Sequence, residues 1–478
     1  MKRSIINLLI TIFILFSLTL IAQQKEEIKI TTSSEEALSF FLEGRHKYEN
    51  IQYATAAALF DEAILTDPEF AMAYLYRSRS GGGYNVERKN LEKAVSLIDK
   101  VTEGEKHKIL FYKAFAEGSD AEQKQHIDFL LKNFPEDKRT HFSAGIYYDF
   151  ITDYPTALMH YIKATQIDEN YAAAFNKIGY CFFDLEYYKA AEETFQKYIN
   201  LNPDSPNPYD SYAELLLKTG RYEESIAQYK NAYKKDLLFT SALSGIGNNY
   251  LFMGDYKSAR EYYQKHFRKT TLLDEKIEAL KLEAISYIHE NNIQNGLETF
   301  TQLRVLAEKE NLITDAVEAQ LSSAFLCIEF NKPEKAEENL NRAEELARMS
   351  ELPDVVKENY VTQAKRYQCL YLIRNGNLNK AEDEIAKYGV LVNQRKNPLE
   401  IKSYFSLMGL LESVKENYEA ALKYFEQADR DDPFNWYYMA KAYQKLGYLE
   451  TATELIVKIS NWNENNLSYA IVKLHLKQ

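Results

Sequence analysis

The chain has 478 residues and a formal net charge of −12, from 58 basic against 70 acidic side chains. That balance disfavours nucleic acid or an anionic membrane surface as the main partner. Tyr (37) and Phe (25) are abundant while Gly (17) and Pro (10) are sparse, which excludes collagen-like and disordered classes and argues against long loops.

At the start, Lys2 and Arg3 precede an uncharged apolar run from Ile5 to Ile21, then Ala22 and the polar stretch Gln23-Gln24-Lys25-Glu26-Glu27. This is the charged, apolar and cleavage-region order of a secretory signal over residues 1–22. The alternative is an uncleaved anchor, since the run approaches a spanning length; its shortness and the small Ala22 favour cleavage near Gln23. The first Cys is Cys181, so no lipoprotein cysteine follows the run. The protein is expected to be exported, periplasmic or secreted, without stable membrane insertion once cleaved. Residues 23–36 then read as a short linker.

Helical pairs begin near Ala37. Gly44, Tyr53, Ala56, Phe60, Ala63 and Pro68 mark the first, and Tyr74 belongs to the next. The turn Ser80-Gly81-Gly82-Gly83 lacks the Gly-Lys-Ser/Thr and the preceding strand of a phosphate loop, so it reads as a lengthened inter-helix turn. A degenerate pair follows from Glu105 to Pro135. From Lys138 to Lys269 the chain repeats itself every 34 residues: Gly145, Gly179, Ala213, Gly247; Ala157, Ala191, Ser225, Ala259; Tyr161, Phe195, Tyr229, Tyr263. The register slips over 271–400, where the pairs are divergent. Clean units return over 401–478 with Phe405, Gly409, Ala421, Phe425 and Pro433, and a short amphipathic tail helix is expected to cap the end.

Small residues alternating with rings on this step resemble the tetratricopeptide repeat. Phe175, Ile178, Gly179, Phe182, Ala191, Phe195, Tyr198 and Pro203 fall on the family's marker positions. The resemblance implies an all-α, tetratricopeptide-type α-solenoid of about twelve antiparallel helix pairs. Gly179 is expected to face Ala191 where two helices cross, and Pro203 to end its helix. The arrays divide on this reading into 37–270, 271–400 and 401–478. Pro206 to Glu214 is similar to exported bacterial proteins of this family.

The resemblance also implies a concave groove lined by the first helix of each pair. The candidate binding residues are Arg139, Phe142, Asn176, Lys177, Tyr180, Asn207, Asp210, Ser211, Glu214, Ser244, Asn248 and Phe252. Mixed amide and aromatic side chains suit an extended protein or peptide segment. The carboxylate clamp of chaperone-binding members is absent, because its places hold Phe142, Ile146, Lys177, Asn207 and Ser211.

Catalytic and cofactor motifs are not found. No two histidines stand four apart, Gly245-Ile246-Gly247 lacks the third glycine of a dinucleotide loop, and Asp429, Asp431 and Asp432 lack the rest of a calcium loop. Cys181, Cys327 and Cys369 sit among apolar residues and read as buried free thiols. The preferred function is an exported scaffold for proteins or peptides, with no enzyme activity, metal or cofactor. A glycan- or nutrient-binding accessory protein is the alternative, and an enzyme with an unrecognised site the least favoured.

Overall fold

The computed structural model describes residues 27–429 and 431–477, so the expected signal at 1–22 lies outside the described residues. Among the described residues there are 25 α-helices and no strands, which gives twelve helix pairs and one helix over. The protein is an all-α, tetratricopeptide-type solenoid. Its contacts gather into two compact units, one holding residues up to Gly81 with Val86–Leu215, the other Gly82–Asn85 with Leu216–Gln478.

The first pairs are α1 (Glu35–Glu49) with α2 (Tyr53–Thr66), α3 (Ala71–Arg77) with α4 (Tyr84–Val95), and α5 (Glu103–Glu117) with α6 (Asp120–Asn133). Next come α7 (Lys138–Phe150) with α8 (Tyr154–Ile167), α9 (Ala172–Asp184) with α10 (Tyr188–Leu201), and α11 (Asn207–Lys218). Helix starts are fixed locally. Ser34 accepts from the Ala37 amide, Asp137 from the Thr140 amide, and Thr102 with Glu105 forms a reciprocal capping box.

The turns between paired helices repeat a backbone conformation rather than a residue. Gly118, Thr152, Glu186, Gly220 and Gly254 stand 34 apart and all have positive φ, at 70°, 61°, 62°, 78° and 83°. Glycine reaches this region without strain, whereas Thr152 and Glu186 adopt it because the helices on either side hold them there. Gly81, Gly82 and Gly83 are also left-handed, so the expected lengthened turn is a run of residues that only glycine occupies freely.

Small-against-ring packing builds the core. A Cβ on Gly145 would come within 2.3 Å of the Tyr161 ring, and one on Gly179 within 2.4 Å of Phe195. The nearest partner of Gly179 is therefore Phe195 and not Ala191, although Ala191 is fully buried. Before α1, the stretch 28–33 is docked rather than free. The Ile28 amide donates to Asp137 (2.8 Å), Thr31 donates to Glu105 from both amide and hydroxyl (2.7 and 2.6 Å), and Thr32 donates to Asp67 (2.6 Å).

The second unit continues with α12 (Tyr222–Lys235), α13 (Ser241–Phe252), α14 (Tyr256–Lys269), α15 (Leu273–His289) and α16 (Ile293–Lys309). Then follow α17 (Ile313–Glu329), α18 (Pro333–Met349), α19 (Asp354–Arg374), α20 (Leu378–Arg395) and α21 (Pro398–Val414). It ends with α22 (Tyr418–Phe425), α23 (Pro433–Lys445), α24 (Leu449–Ser460) and α25 (Leu467–Leu476). The tail helix α25 does more than cap the last repeat. It packs on α15 as well as α23, and Tyr469, Ala470, Ile471 and Val472 are fully buried. Asp432 accepts from the Phe434 amide at the start of α23, and the three cysteines are buried free thiols.

Candidate peptide-binding groove

In the first unit, the first helices of successive pairs turn toward one cavity. It is lined by Tyr48 and Glu49 from α1, Leu75 and Tyr76 from α3, Arg79 just beyond it, Lys108 and Tyr112 from α5, Arg139, Phe142, Ser143 and Ile146 from α7, and Tyr171 before α9. Two of the expected groove residues, Arg139 and Phe142, are therefore together in this cavity. Arg139 donates to Glu49 at 2.8 and 3.5 Å, and the Tyr171 hydroxyl reaches the same carboxylate at 3.4 Å. Phe142 lies between Tyr161 and Tyr171, each centroid 5.5 Å away and each ring plane steeply inclined to its own, at 58° and 61°.

The remaining candidates in this unit hold one another. Ser211 donates to the side-chain oxygen of Asn176 at 2.8 Å, and the Asn207 amide donates to Tyr198 at 2.9 Å. Asn176, Asn207 and Ser211 are buried, so they join adjacent repeats rather than face a ligand. Lys177 pairs with Asp149 at 3.5 Å, and Tyr180 donates to Glu214. Burial pushes the carboxyls of Asp210 and Glu214, one helical turn apart, above their ordinary range.

The candidates of the second unit are occupied from within. Asn248 accepts from Tyr263 at 2.8 Å and from Asn465 at 2.9 Å, and Phe252 meets the rings of His289 and Tyr469. Ser244 is buried against His266, 2.6 Å away. Asn463 donates to the carbonyls of Leu217 and Lys218 at 3.3 and 3.4 Å, and the Lys218 ammonium stands 3.1 Å over the Trp462 ring. The stretch 462–476 thus lies against Asn248 and Phe252, two of the first-helix residues that were expected to meet a ligand.

Sequence reasoning missed Glu49, Tyr76, Arg79, Lys108 and Tyr112. Glu49 ends the first helix of the first pair, outside the block onto which the groove positions were carried, and the others belong to irregular pairs where the 34-residue register is broken by three glycines and a degenerate unit. The available signal was a cation inside otherwise ring-rich or apolar helix, as in Tyr74-Leu75-Tyr76-Arg77-Ser78-Arg79 and His107-Lys108-Ile109. Histidines pair in space although never four apart: His107 with His126 at 3.1 Å, and His141 with His160 at 3.2 Å. Among the described residues, no group of three or more His, Cys, Asp or Glu side chains is placed to hold a metal ion.

Comparison with known proteins follows the same pattern. Models of the tetratricopeptide repeat match residues 172–205 and 213–270. The chain carries tetratricopeptide repeats. Over 78 residues it is 37% identical to small glutamine-rich tetratricopeptide repeat-containing protein 2 of Mycosarcoma maydis, a match covering 16% of this chain and 22% of that protein. Over 114 residues it is 31% identical to superkiller complex protein 3 of Mus musculus, covering 24% of this chain and 7% of that protein. The chain thus spans under a quarter of either relative's length. Among solved structures, MamA is 22% identical with a TM-score of 0.29, over 35% of this chain and 95% of that one. YrrB, described as a tetratricopeptide protein with an unusual peptide-binding site, is 17% identical with a TM-score of 0.27, over 39% and 94%. No helix among the described residues is long and apolar enough to cross a membrane.

Proposed function

We propose that the protein is an exported bacterial scaffold that holds a protein or peptide segment on the first-helix face of its first unit. The observation that supports this reading is the cavity itself. Successive first helices contribute rings, cations and a carboxylate to one recess, whereas Asn248 and Phe252 of the second unit are covered by the chain's own tail. The first-helix face around such a recess, built from several repeats, suits an extended segment whose backbone and side chains meet different repeats in turn.

Export rests on the order of Lys2-Arg3, the apolar run and Ala22. Cleavage near Gln23 would leave the docked stretch 28–33 intact. Intact-mass measurement of protein from the envelope tests it, and a retained residue 1–22 segment would refute cleavage.

The scaffold reading is tested by capturing partners from the envelope fraction with wild type, Phe142→Ala and the exposed control Gln196→Ala. A partner that is retained by the control and lost by Phe142→Ala at unchanged helix content supports the reading. Equal recovery by both variants, or recovery of glycan without protein, refutes it.

A further inference from the structure

We infer that the recess between Arg79, Lys108 and Arg139 binds an oxyanion, a carboxylate or phosphate group carried by the partner segment; this rests on the scaffold reading above. Three cations line the recess and only one carboxylate, Glu49, does so. That carboxylate is already engaged by Arg139 and Tyr171, and Arg139 also pairs with Glu27 at 3.6 Å, so Arg79 and Lys108 are the cations of the recess left without a counter-ion. Arg79 donates to the hydroxyl of Tyr48 at 3.1 Å and stands 4.1 Å over the Tyr112 ring, with no carboxylate partner among the described residues.

Lys108 is the more telling residue. It is 6% exposed, its ammonium lies 5.7 Å from the Tyr76 ring centroid, and no described group accepts a hydrogen bond from it. The acid that acts on it from nearby, Asp137, spends its oxygens on the amides of Ile28 and Thr140, each at 2.8 Å. Burial accordingly pulls the Lys108 ammonium below its ordinary pKa. A buried cation without a counter-ion is costly, and an anion entering the recess would answer Arg79 and Lys108 together.

Donors for the remaining oxygens are present. The hydroxyls of Tyr76 and Tyr112 have no hydrogen-bond partner among the described residues, and burial pushes Tyr76 up to about 12, so it keeps its proton. The free space is about 30 Å³, room for one small charged group and not for a whole side chain. The rest of the partner segment would lie outside the recess.

The test uses the full chain and ligand-observed NMR at constant ionic strength, with acetate, inorganic phosphate and neutral acetamide as probes. Saturable broadening by acetate or by phosphate, but not by acetamide, is expected, and the stronger of the two anions identifies the source. Lys108→Met, which keeps the apolar stem, should weaken that binding about tenfold or more while leaving the unfolding temperature unchanged or higher. If Lys108→Met lowers the unfolding temperature, the same titration of Arg79→Gln decides. Anion binding no tighter than that of acetamide, or full binding in the well-folded variant, overturns the site. No partner is needed here, so the site can fail while partner capture stands, and capture can fail while the site stands.

Discussion

Gly179 and Phe195 are packed so closely that the glycine has no room for a side chain: a Cβ there would lie 2.4 Å from the ring edge. Phe195 is fully buried and cannot move away without opening the space between α9 and α10. Gly179→Leu should therefore cost on the order of 1–3 kcal/mol as overpacking. Repeat stacks are stabilised mainly by neighbours, so hydrogen exchange should rise in α9, α10 and their neighbours and not in α23. Uniform loosening of the whole chain would contradict this packing.

Thr152 occupies a place in the turn ladder where Gly118, Gly220 and Gly254 stand in other repeats. A β-branched residue at φ 61° is strained, and Thr152→Gly relieves it. The expected gain is about 0.5–1 kcal/mol, what remains after glycine's greater unfolded-state freedom is subtracted from the relief of strain. A urea midpoint that falls in the variant would show that Thr152 makes a stabilising contact instead.

Tyr469 is fully buried between Phe252, His289 and the body of the second unit. Tyr469→Ala should destabilise that unit by roughly 3–5 kcal/mol, the range for deleting a buried ring. Asn465→Ala, which removes the two hydrogen bonds its amide donates to Asn248 and Tyr263, should cost about 0.5–1.5 kcal/mol for each. Denaturation curves in which both variants match wild type would mean the tail is not part of the folded unit.

His141 and His160 meet through their Nδ1 atoms, and His141 Nε2 lies 2.9 Å from the Pro135 carbonyl. His141 must donate through Nε2, so the bare Nδ1 accepts from His160 in the neutral pair. Burial, then His141, pushes His160 down to about 4 from an ordinary 6.5. The unfolded chain thus takes up the proton first, and stability is full above about 6.5 and falls as pH drops from there toward about 4. His160→Gln should make the decline between those values shallower. An unchanged slope would remove this pair as a source of acid sensitivity.

The repeat is legible in the order of the residues alone. A 34-residue step of small residues against rings leaves few other ways to bury both faces, because each glycine is useful only where a ring from the paired helix covers it. Local chemistry also fixed the helix starts at Ser34, Thr102 and Asp137, where a side chain caps its own amides. It did not determine that Gly179 meets Phe195 before Ala191, since that depends on how far one helix slides along the other.

Which first-helix faces stay open follows from long-range packing. Asn248 and Phe252 are in the expected register, yet the stretch 462–476, more than 200 residues later, lies on them. Arg79, Lys108 and Arg139 come from three repeats with no common spacing, and meet because successive pairs stack with a rotation that no single repeat encodes. Periodicity specifies how a helix packs on its neighbours; where distant side chains converge is set by the sum of those packings.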